Sequence, residues 1–196
     1  MVESTDSIDG SVKALEKALG VHEGFLEGLI NEDDWSFIIK AHALLEAAVT
    51  HLLCKALQKD KLLPIFSFLE LSNKSSGKIA FVKALDLLDK EDRRFISSLS
   101  ELRNKLVHNV SNVNFGLQAF VNELSPKELS EFVTKFDSFT LNNSTAEYQG
   151  KWITSTELFK REAKRAIWYS CMVTVGIIYK KREISFIEAR IKRHED

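Results

Sequence analysis

In the stretch Glu101-Leu102-Arg103-Asn104-Lys105-Leu106-Val107-His108, an arginine stands where an apolar residue would be expected. The stretch has the residue pattern of a helix end. At about 100° per residue, it predicts the end of an amphipathic helix. The apolar stripe of that helix consists of Phe95, Ile96, Leu99, Leu102, Leu106 and Val107. Arg103 falls inside this stripe, while Asn104 and His108 lie together on its flank. A guanidinium facing a core or an interface needs a partner, because an unpaired buried charge is very costly.

A second misplaced charge lies in the most apolar part of the chain, from Asp34 to about Leu57. This part predicts a helix with one face formed by Trp35, Ile39, Val49, Leu53 and Leu57. Glu46 lies in the middle of that face, and His42 lies one turn before it. Because two helices each carry one charge of opposite sign, the simplest prediction is that Glu46 and Arg103 pair across the core.

The remaining local signals predict helices throughout. The 196 residues include only two prolines and eight glycines, and we find neither a convincing strand pattern nor an internal repeat. Capping boxes at Ser125/Glu128 and Thr154/Glu157 predict helix starts. The last helix is expected to run to Tyr179 or, as a pair, to Arg193, and residues 140–151 are expected to form a polar loop. The prediction is an all-α bundle of about six to eight helices in a single domain, 1–196.

Charge is distributed unevenly along the chain. Residues 1–150 contain 16 Lys and Arg against 22 Asp and Glu, whereas residues 151–196 contain 11 against 6. We therefore define a basic C-terminal helical segment, 152–193. A basic helix face attracts anions, although it is more often simply solvated.

Composition also indicates the compartment. Hydrophobic residues make up 44% of the chain and charged residues 28%, as in ordinary globular proteins. Cys54 and Cys171 lie in apolar contexts and are expected to be reduced core residues. The polar start of the chain lacks a signal pattern, and the apolar run Ala166–Tyr179 is too short to cross a bilayer. We predict a cytoplasmic protein that does not enter a membrane.

The motif Arg103-x4-His108, with Asn104 directly after the arginine, resembles the signature of the HEPN superfamily of helical domains. The upstream stretch Ala41-His42-Ala43-Leu44-Leu45-Glu46-Ala47-Ala48 is similar to the first core helix of many members. This resemblance covers residues 34–110. It implies an HEPN-like core to which the C-terminal segment is added.

A second resemblance concerns the layout of most of the chain. An apolar helix with a central glutamate is followed by a short connector and by a helix ending in Leu-Arg-x4-His. A turn of asparagines, Phe115 and a final long helix complete the order. This arrangement and the chain length are similar to those of mannitol operon repressor proteins.

The HEPN resemblance implies metal-independent RNA cleavage by a homodimer in which two copies line one cleft, as in toxin or defence ribonucleases. His108 would be the general base or acid, since an imidazole titrates near neutrality. Arg103 would neutralise charge on the phosphoryl oxygens, because a guanidinium binds them in a fork. Asn104 would orient His108 or the phosphate, with Glu46 and His42 as supporting residues. Neither cofactor nor metal is expected, and an antitoxin would be a protein partner.

A non-catalytic role for the same residues stays open. Arg103 could neutralise Glu46 alone, with Asn104 and His108 capping the helix end. The protein would then be a transcription or stress regulator that acts through protein–protein contacts, like a mannitol repressor. Direct DNA reading is not expected, since there is no helix-turn-helix with a basic recognition helix.

Geometry separates the two alternatives. Arg103 and His108, five residues apart, diverge by about 140° on an ideal helix. They converge on one phosphate if the helix ends before His108, if the arginine curls round, or if a second copy contributes. An arginine that faces a shared cleft favours the enzyme. An arginine held against Glu46, with the histidine pointing away, favours the regulator.

The sequence contains two weaker patterns. His42 and Glu46 have the i, i+4 spacing of metal ligands, but there is no third ligand at a useful spacing. Aromatic residues among basic ones are able to stack on nucleic-acid bases, although at helical spacing they more often pack in a core. They are Trp152, Trp168, Tyr169 and Tyr179.

Overall fold

The computed structural model describes residues 3–138 and 145–195. This part of the chain contains nine α-helices and one β-hairpin. The helices are α1 Glu3–Leu19, α2 Phe25–Gly28, α3 Asp34–Ala56, α4 Leu63–Ser67, α5 Lys78–Ala84, α6 Lys90–Val107, α7 Leu117–Asn122, α8 Pro126–Phe136 and α9 Ser155–Glu195. The strands are β1 Thr145–Tyr148 and β2 Lys151–Thr154. Three 3-10 turns span Leu29–Asn31, Asp60–Leu62 and Val110–Asn114. The structure is 76% helical, so the all-α prediction is confirmed.

The central helix is α3, against which α1, α6 and α9 pack. It contributes ten buried residues to one hydrophobic cluster that runs from Val12 to Ile178. Removing this apolar surface from water is the main force that holds the helices together. Two contacts show that α9 runs in the same direction as α3: Lys164 meets Asp34, and Lys55 meets Phe186.

Local capping signals in the sequence are confirmed at three helix starts. The Asp33 carboxylate accepts a hydrogen bond from the Ser36 backbone at 2.8 Å, which fixes the start of α3. Ser125 and Glu128 form a reciprocal capping box at α8. At α9, the Thr154 backbone donates to the Glu157 carboxylate at 3.1 Å. Each bond satisfies a backbone group that a helix end leaves without a partner.

The hairpin corrects the prediction of a polar loop over 140–151. Residues 145–151 belong to two short antiparallel strands and their turn, whereas 139–144 lie outside the described residues. Ile153 is buried against the bundle, and Gly150 has the positive φ of 75° that suits a tight turn. Four residues per strand are too few for alternation to be visible in the sequence.

The last helix is also interrupted, at Glu162, where φ is −146° and ψ is 59°. The Gln118 side chain, from α7, spans this break: its amide nitrogen donates to the Lys160 carbonyl at 2.7 Å. Its amide oxygen accepts from the Ala163 backbone at 2.9 Å. A residue distant in sequence therefore satisfies the freed backbone groups, which is why the helix pattern gave no sign of a break.

Within the described residues, α3 is the one helix long and apolar enough to cross a membrane by length and composition. Of its most apolar window, 67% is buried inside the bundle. The core helix of a water-soluble protein passes the same test. The predicted burial of Cys54 and Cys171 as free thiols is confirmed.

Asp92, in the first turn of α6, is 3% exposed. Burial raises the pKa of its carboxyl to about 7, and the neighbouring Asp89 and Glu91 act in the same direction, against Lys181. In an unfolded chain the pKa of an aspartate is about 3.9. Because the folded chain holds the proton more tightly, this group stabilises the fold below about pH 4, and that stability is lost as the pH rises through 7.

Asp92→Asn is therefore expected to raise the free energy of unfolding at pH 8 by roughly 2 kcal/mol, and to have little effect at pH 4. Urea unfolding of parent and variant at both pH values measures the difference. Glu101→Gln, at an exposed carboxylate on the same helix, is the control. A difference between Asp92→Asn and parent that does not change with pH would contradict the assignment.

Candidate functional site

The end of α6 is held by an asparagine that follows the motif. Asn112 donates its side-chain amide to the carbonyls of Lys105, at 2.9 Å, and Leu106, at 3.5 Å. These are carbonyls that the helix end leaves without an intrahelical partner. Asn112 thus does the capping that the non-catalytic alternative assigned to Asn104 and His108. Its place in a turn of asparagines after the helix was the only sequence signal for it.

Arg103 is half-buried, and its Nη1 donates to the Asn104 side-chain oxygen at 3.1 Å. Its Nε is buried and has no hydrogen-bond acceptor in the described part of the chain. No ion pair joins Arg103 to a carboxylate among residues 3–138 and 145–195. The predicted Glu46–Arg103 pair is wrong, and Arg103 is instead held by its neighbour on the helix.

Glu46 pairs with Lys78, a residue from a third element that the sequence analysis missed. The Lys78 ammonium lies 2.9 Å from the Glu46 carboxylate, and the lysine side chain is 1% exposed against 34% for the glutamate. Lys78 is the first residue of α5, which packs between α3 and α6. The long lysine stem fills apolar space, and its charge neutralises Glu46. In the sequence, the only local signal at Lys78 is the glycine directly before it.

His42 lies beside this pair and is buried. Its Nε2 is 3.1 Å from the Ser100 hydroxyl, which in turn donates to the Ile96 carbonyl at 3.0 Å. The one proton of the Ser100 hydroxyl is used in the bond to Ile96, so Ser100 accepts the bond from His42. The Nε2 atom of His42 therefore carries a hydrogen. Burial lowers the pKa of His42, Arg103 and Lys78 lower it further, and Glu46 opposes them. His42 is therefore a neutral histidine that holds α3 to α6.

The same contacts bear on metal binding. The Glu46 carboxylate is committed to Lys78, and the His42 Nε2 to Ser100. In the described ranges, 3–138 and 145–195, no three His, Cys, Asp or Glu side chains come close enough together to hold a metal ion. The i, i+4 spacing of these two residues is explained by the packing of α3 on α5 and α6.

His108 occupies the residue after α6, with φ −75° and ψ −11°, and is exposed. Its ring makes no hydrogen bond or ion pair with the described residues, so both ring nitrogens are open to a ligand. These backbone angles continue the helical direction, so the divergence of about 140° from Arg103 applies. The structure brings Arg103 and Asn104 together and leaves His108 separate from them within one chain.

Two concave regions of the described surface lie near the site without including Arg103 or His108. A groove of 440 Å³ lies between α6, α7 and α8. Its apolar lining consists of Leu102, Leu106, Phe115, Phe120, Leu124, Phe132 and Phe136. A shallower hollow of 280 Å³, lined by Glu46 and Lys78 among others, lies between α3 and α4.

No protein-family model, curated protein or solved structure gives a significant match to this chain. The HEPN and mannitol-repressor resemblances therefore stay predictions.

Proposed function

We propose that the protein is a cytoplasmic, HEPN-like RNA-acting protein that cleaves RNA without a metal ion, as a homodimer. Arg103, Asn104 and His108 are the proposed catalytic residues. The observation that carries the proposal is the unpaired Arg103, a half-buried guanidinium without a carboxylate partner in the described chain. Such a charge favours an anion supplied from outside, and RNA supplies phosphates.

Neighbouring residues prepare Arg103 for phosphate. Lys78 neutralises Glu46, so this carboxylate of α3 does not compete for the guanidinium. Asn104 accepts a hydrogen bond from Nη1 and restricts the arginine to one orientation. Because the side chain is half-buried, its attraction to an anion is less screened than on an open surface. Arg103 would stabilise the charge that develops on the phosphoryl oxygens.

His108 supplies proton transfer. Its exposed ring would take the proton of the ribose 2′-hydroxyl, which attacks the adjacent phosphorus and forms a 2′,3′-cyclic phosphate as the 5′-oxygen leaves. A protonated imidazole would return a proton to that leaving oxygen. DNA lacks the 2′-hydroxyl and would resist. Since Arg103 and His108 diverge on one helix, two copies with the ends of their α6 helices together would complete the site.

The test is cleavage of a labelled single-stranded RNA in excess chelator by the purified protein, Arg103→Ala and His108→Ala. We expect both variants to cut at least about 100-fold more slowly, the usual loss when a general acid–base or a group that stabilises transition-state charge is removed. The parent should leave a 2′,3′-cyclic phosphate end. His22→Ala, at an exposed histidine outside the motif, is the control and should cut at the parental rate. Equal cutting by His108→Ala and parent would refute the proposal.

The second candidate is a regulator of transcription or of a stress response, and the groove between α6 and α8 favours it. A groove with an apolar floor and charged residues at its edge, here Glu101, Lys105 and Lys135, is suited to protein contacts. An antitoxin would be one such partner. If the parent leaves RNA intact in the assay above while His108→Ala keeps the parental melting temperature, this candidate takes precedence.

A further inference from the structure

Trp152 lies on the outer face of the β-hairpin and is 69% exposed. Side chains alternate between the two faces of a strand, and its neighbour Ile153 is buried against the bundle. The other tryptophans are partly buried; Trp168, for example, donates its indole N–H to the Leu26 carbonyl at 2.8 Å. Trp152 therefore has no packing role that explains a large apolar ring in solvent.

Two basic residues lie close to Trp152 in the chain. Lys160 and Arg161, in the first two turns of α9 directly after β2, are exposed, and neither forms an ion pair with a described residue. Lys151 alternates to the face of Ile153, and the register partner of Trp152 on β1 is Glu147. The Tyr148 hydroxyl donates to Glu162 at 2.8 Å, which raises the pKa of Tyr148, while Arg165 and Arg161 act in the opposite direction. The first part of α9 also contacts both strands, so it lies beside the hairpin.

This basic surface lies at the same end of the bundle as His108. The Asp34 carboxylate, at the start of α3, accepts from the Leu117 backbone at 2.7 Å and pairs with Lys164 at 3.3 Å. The 3-10 turn Val110–Asn114, which directly follows the motif helix, also contacts α3. The end of α6, the start of α3 and the first part of α9 therefore meet at one end of the molecule.

We propose that Trp152, Lys160 and Arg161, here called the Trp152 surface, bind the single-stranded RNA whose cleavage we assign to His108. This proposal deepens the proposed function and rests on it for the identity of the ligand. An exposed indole stacks on a base that is not already stacked in a duplex, and it does so with any base. The two unpaired cations would follow the phosphates of the same strand. The substrate class is therefore unpaired RNA of relaxed sequence.

Binding is measured separately from cleavage, by fluorescence anisotropy of a labelled single-stranded RNA with proteins that carry His108→Ala. Adding Trp152→Ala is expected to weaken binding about 5- to 100-fold, the effect of losing one base–aromatic stack. Phe68→Ala removes an aromatic ring that is 90% exposed but distant in sequence from the hairpin, and should bind like the parent. Because Trp152 is exposed, the melting temperature of its variant should not change.

Two further readouts separate stacking from charge. RNA should quench tryptophan fluorescence in the parent and much less in Trp152→Phe, which retains a stacking ring and most of the affinity. Arg161→Ala should reduce the slope of log affinity against log salt by about 0.7, the value for one phosphate contact on a single strand. Lys83→Ala, at an exposed lysine on α5, should leave the slope unchanged.

Parental binding by Trp152→Ala and Arg161→Ala would overturn the Trp152 surface, even if the parent cleaves RNA and the nuclease proposal stands. Conversely, weaker binding by Trp152→Ala, in a protein that never cleaves, would support the surface and refute the nuclease. Basic residues around an exposed tryptophan also suit an anionic membrane. A blue shift of Trp152 emission with phosphatidylserine vesicles, without quenching by RNA, would assign the surface to lipid and overturn the proposal.

Discussion

Glu46→Ala is expected to lower the free energy of unfolding by about 3–5 kcal/mol, the usual cost of removing one partner from a buried ion pair. The variant leaves the Lys78 ammonium 1% exposed and without its counter-charge. Water reaches the glutamate end of the pair but not the lysine end, so the remaining charge cannot be solvated without local opening. Urea unfolding near pH 7 measures the loss.

The matched control is another Glu–Lys pair at the surface. Glu32 lies 2.6 Å from Lys40, and its side chain is 30% exposed, close to the 34% of Glu46, but Lys40 is 47% exposed. Glu32→Ala should therefore cost less than about 1 kcal/mol, as expected for an exposed pair. The two substitutions differ chiefly in whether the remaining lysine is solvated. Equal losses in the two variants would show that Lys78 is not isolated from water.

Replacing the other partner should change the stability much less. Lys78→Met removes the buried charge and keeps an apolar side chain of similar length, so we expect a change within about 1.5 kcal/mol of the parent. The double variant with Glu46→Ala should then recover most of the stability that Glu46→Ala alone loses.

The sequence predicted what depends on local chemistry. The N-terminal boundaries of α3, α8 and α9 follow from Asp33, Ser125 and Thr154, whose side chains bond to backbone groups three residues away. The all-α class follows from periodic apolar residues and scarce proline and glycine. Both are read from short windows, because the atoms that interact are close in sequence.

The features that were not predicted depend on contacts between residues distant in sequence. Two helices with one charge each suggested a Glu46–Arg103 pair, but that inference ignored the long lysine of a third helix. The break at Glu162 depends on Gln118, 44 residues earlier, whose amide replaces the missing helical hydrogen bonds. Neither partner stands out by composition, since lysine and glutamine are ordinary surface residues.

The requirement that each misplaced charge have a partner was sound as physics. For Glu46 the partner is Lys78. For Arg103, the described chain supplies an amide oxygen and no carboxylate. This is why we propose that an anion from outside the chain binds there. The motif thus predicts the residues of the candidate site. Lys78, which lies outside the motif, pairs with Glu46, and Arg103 is left without a carboxylate partner in the described chain.

Gly77→Ala is the second large effect, with an expected loss of about 3 kcal/mol in the free energy of unfolding, at the upper end for an overpacked site. The backbone angles of Gly77, φ −83° and ψ 175°, are open to any residue, so the reason is steric. A Cβ there would lie 2.5 Å from the Glu70 carbonyl oxygen and 2.7 Å from the backbone N and O of Asn73. Urea unfolding and the melting temperature measure the loss.

These atoms cannot move aside without breaking the turn that positions Lys78. The Glu70 carbonyl accepts from the Lys78 backbone at 2.9 Å, and the Asn73 carbonyl accepts from Gly77 at 3.0 Å. The control is Gly28→Ala, at φ −65°, where a Cβ would meet nothing within 4 Å, so stability should be equal or slightly higher. A loss no larger in Gly77→Ala than in this control would mean that the turn relaxes freely.

The two large effects should be coupled, because Gly77 sets the position from which Lys78 reaches Glu46. Once Gly77→Ala has displaced the lysine, removing Glu46 takes away an interaction that is already weakened. The double variant should therefore lose less than the sum of the two single losses, by about 1 kcal/mol or more for groups that share a partner. Strict additivity would mean that the turn and the ion pair stabilise α5 independently.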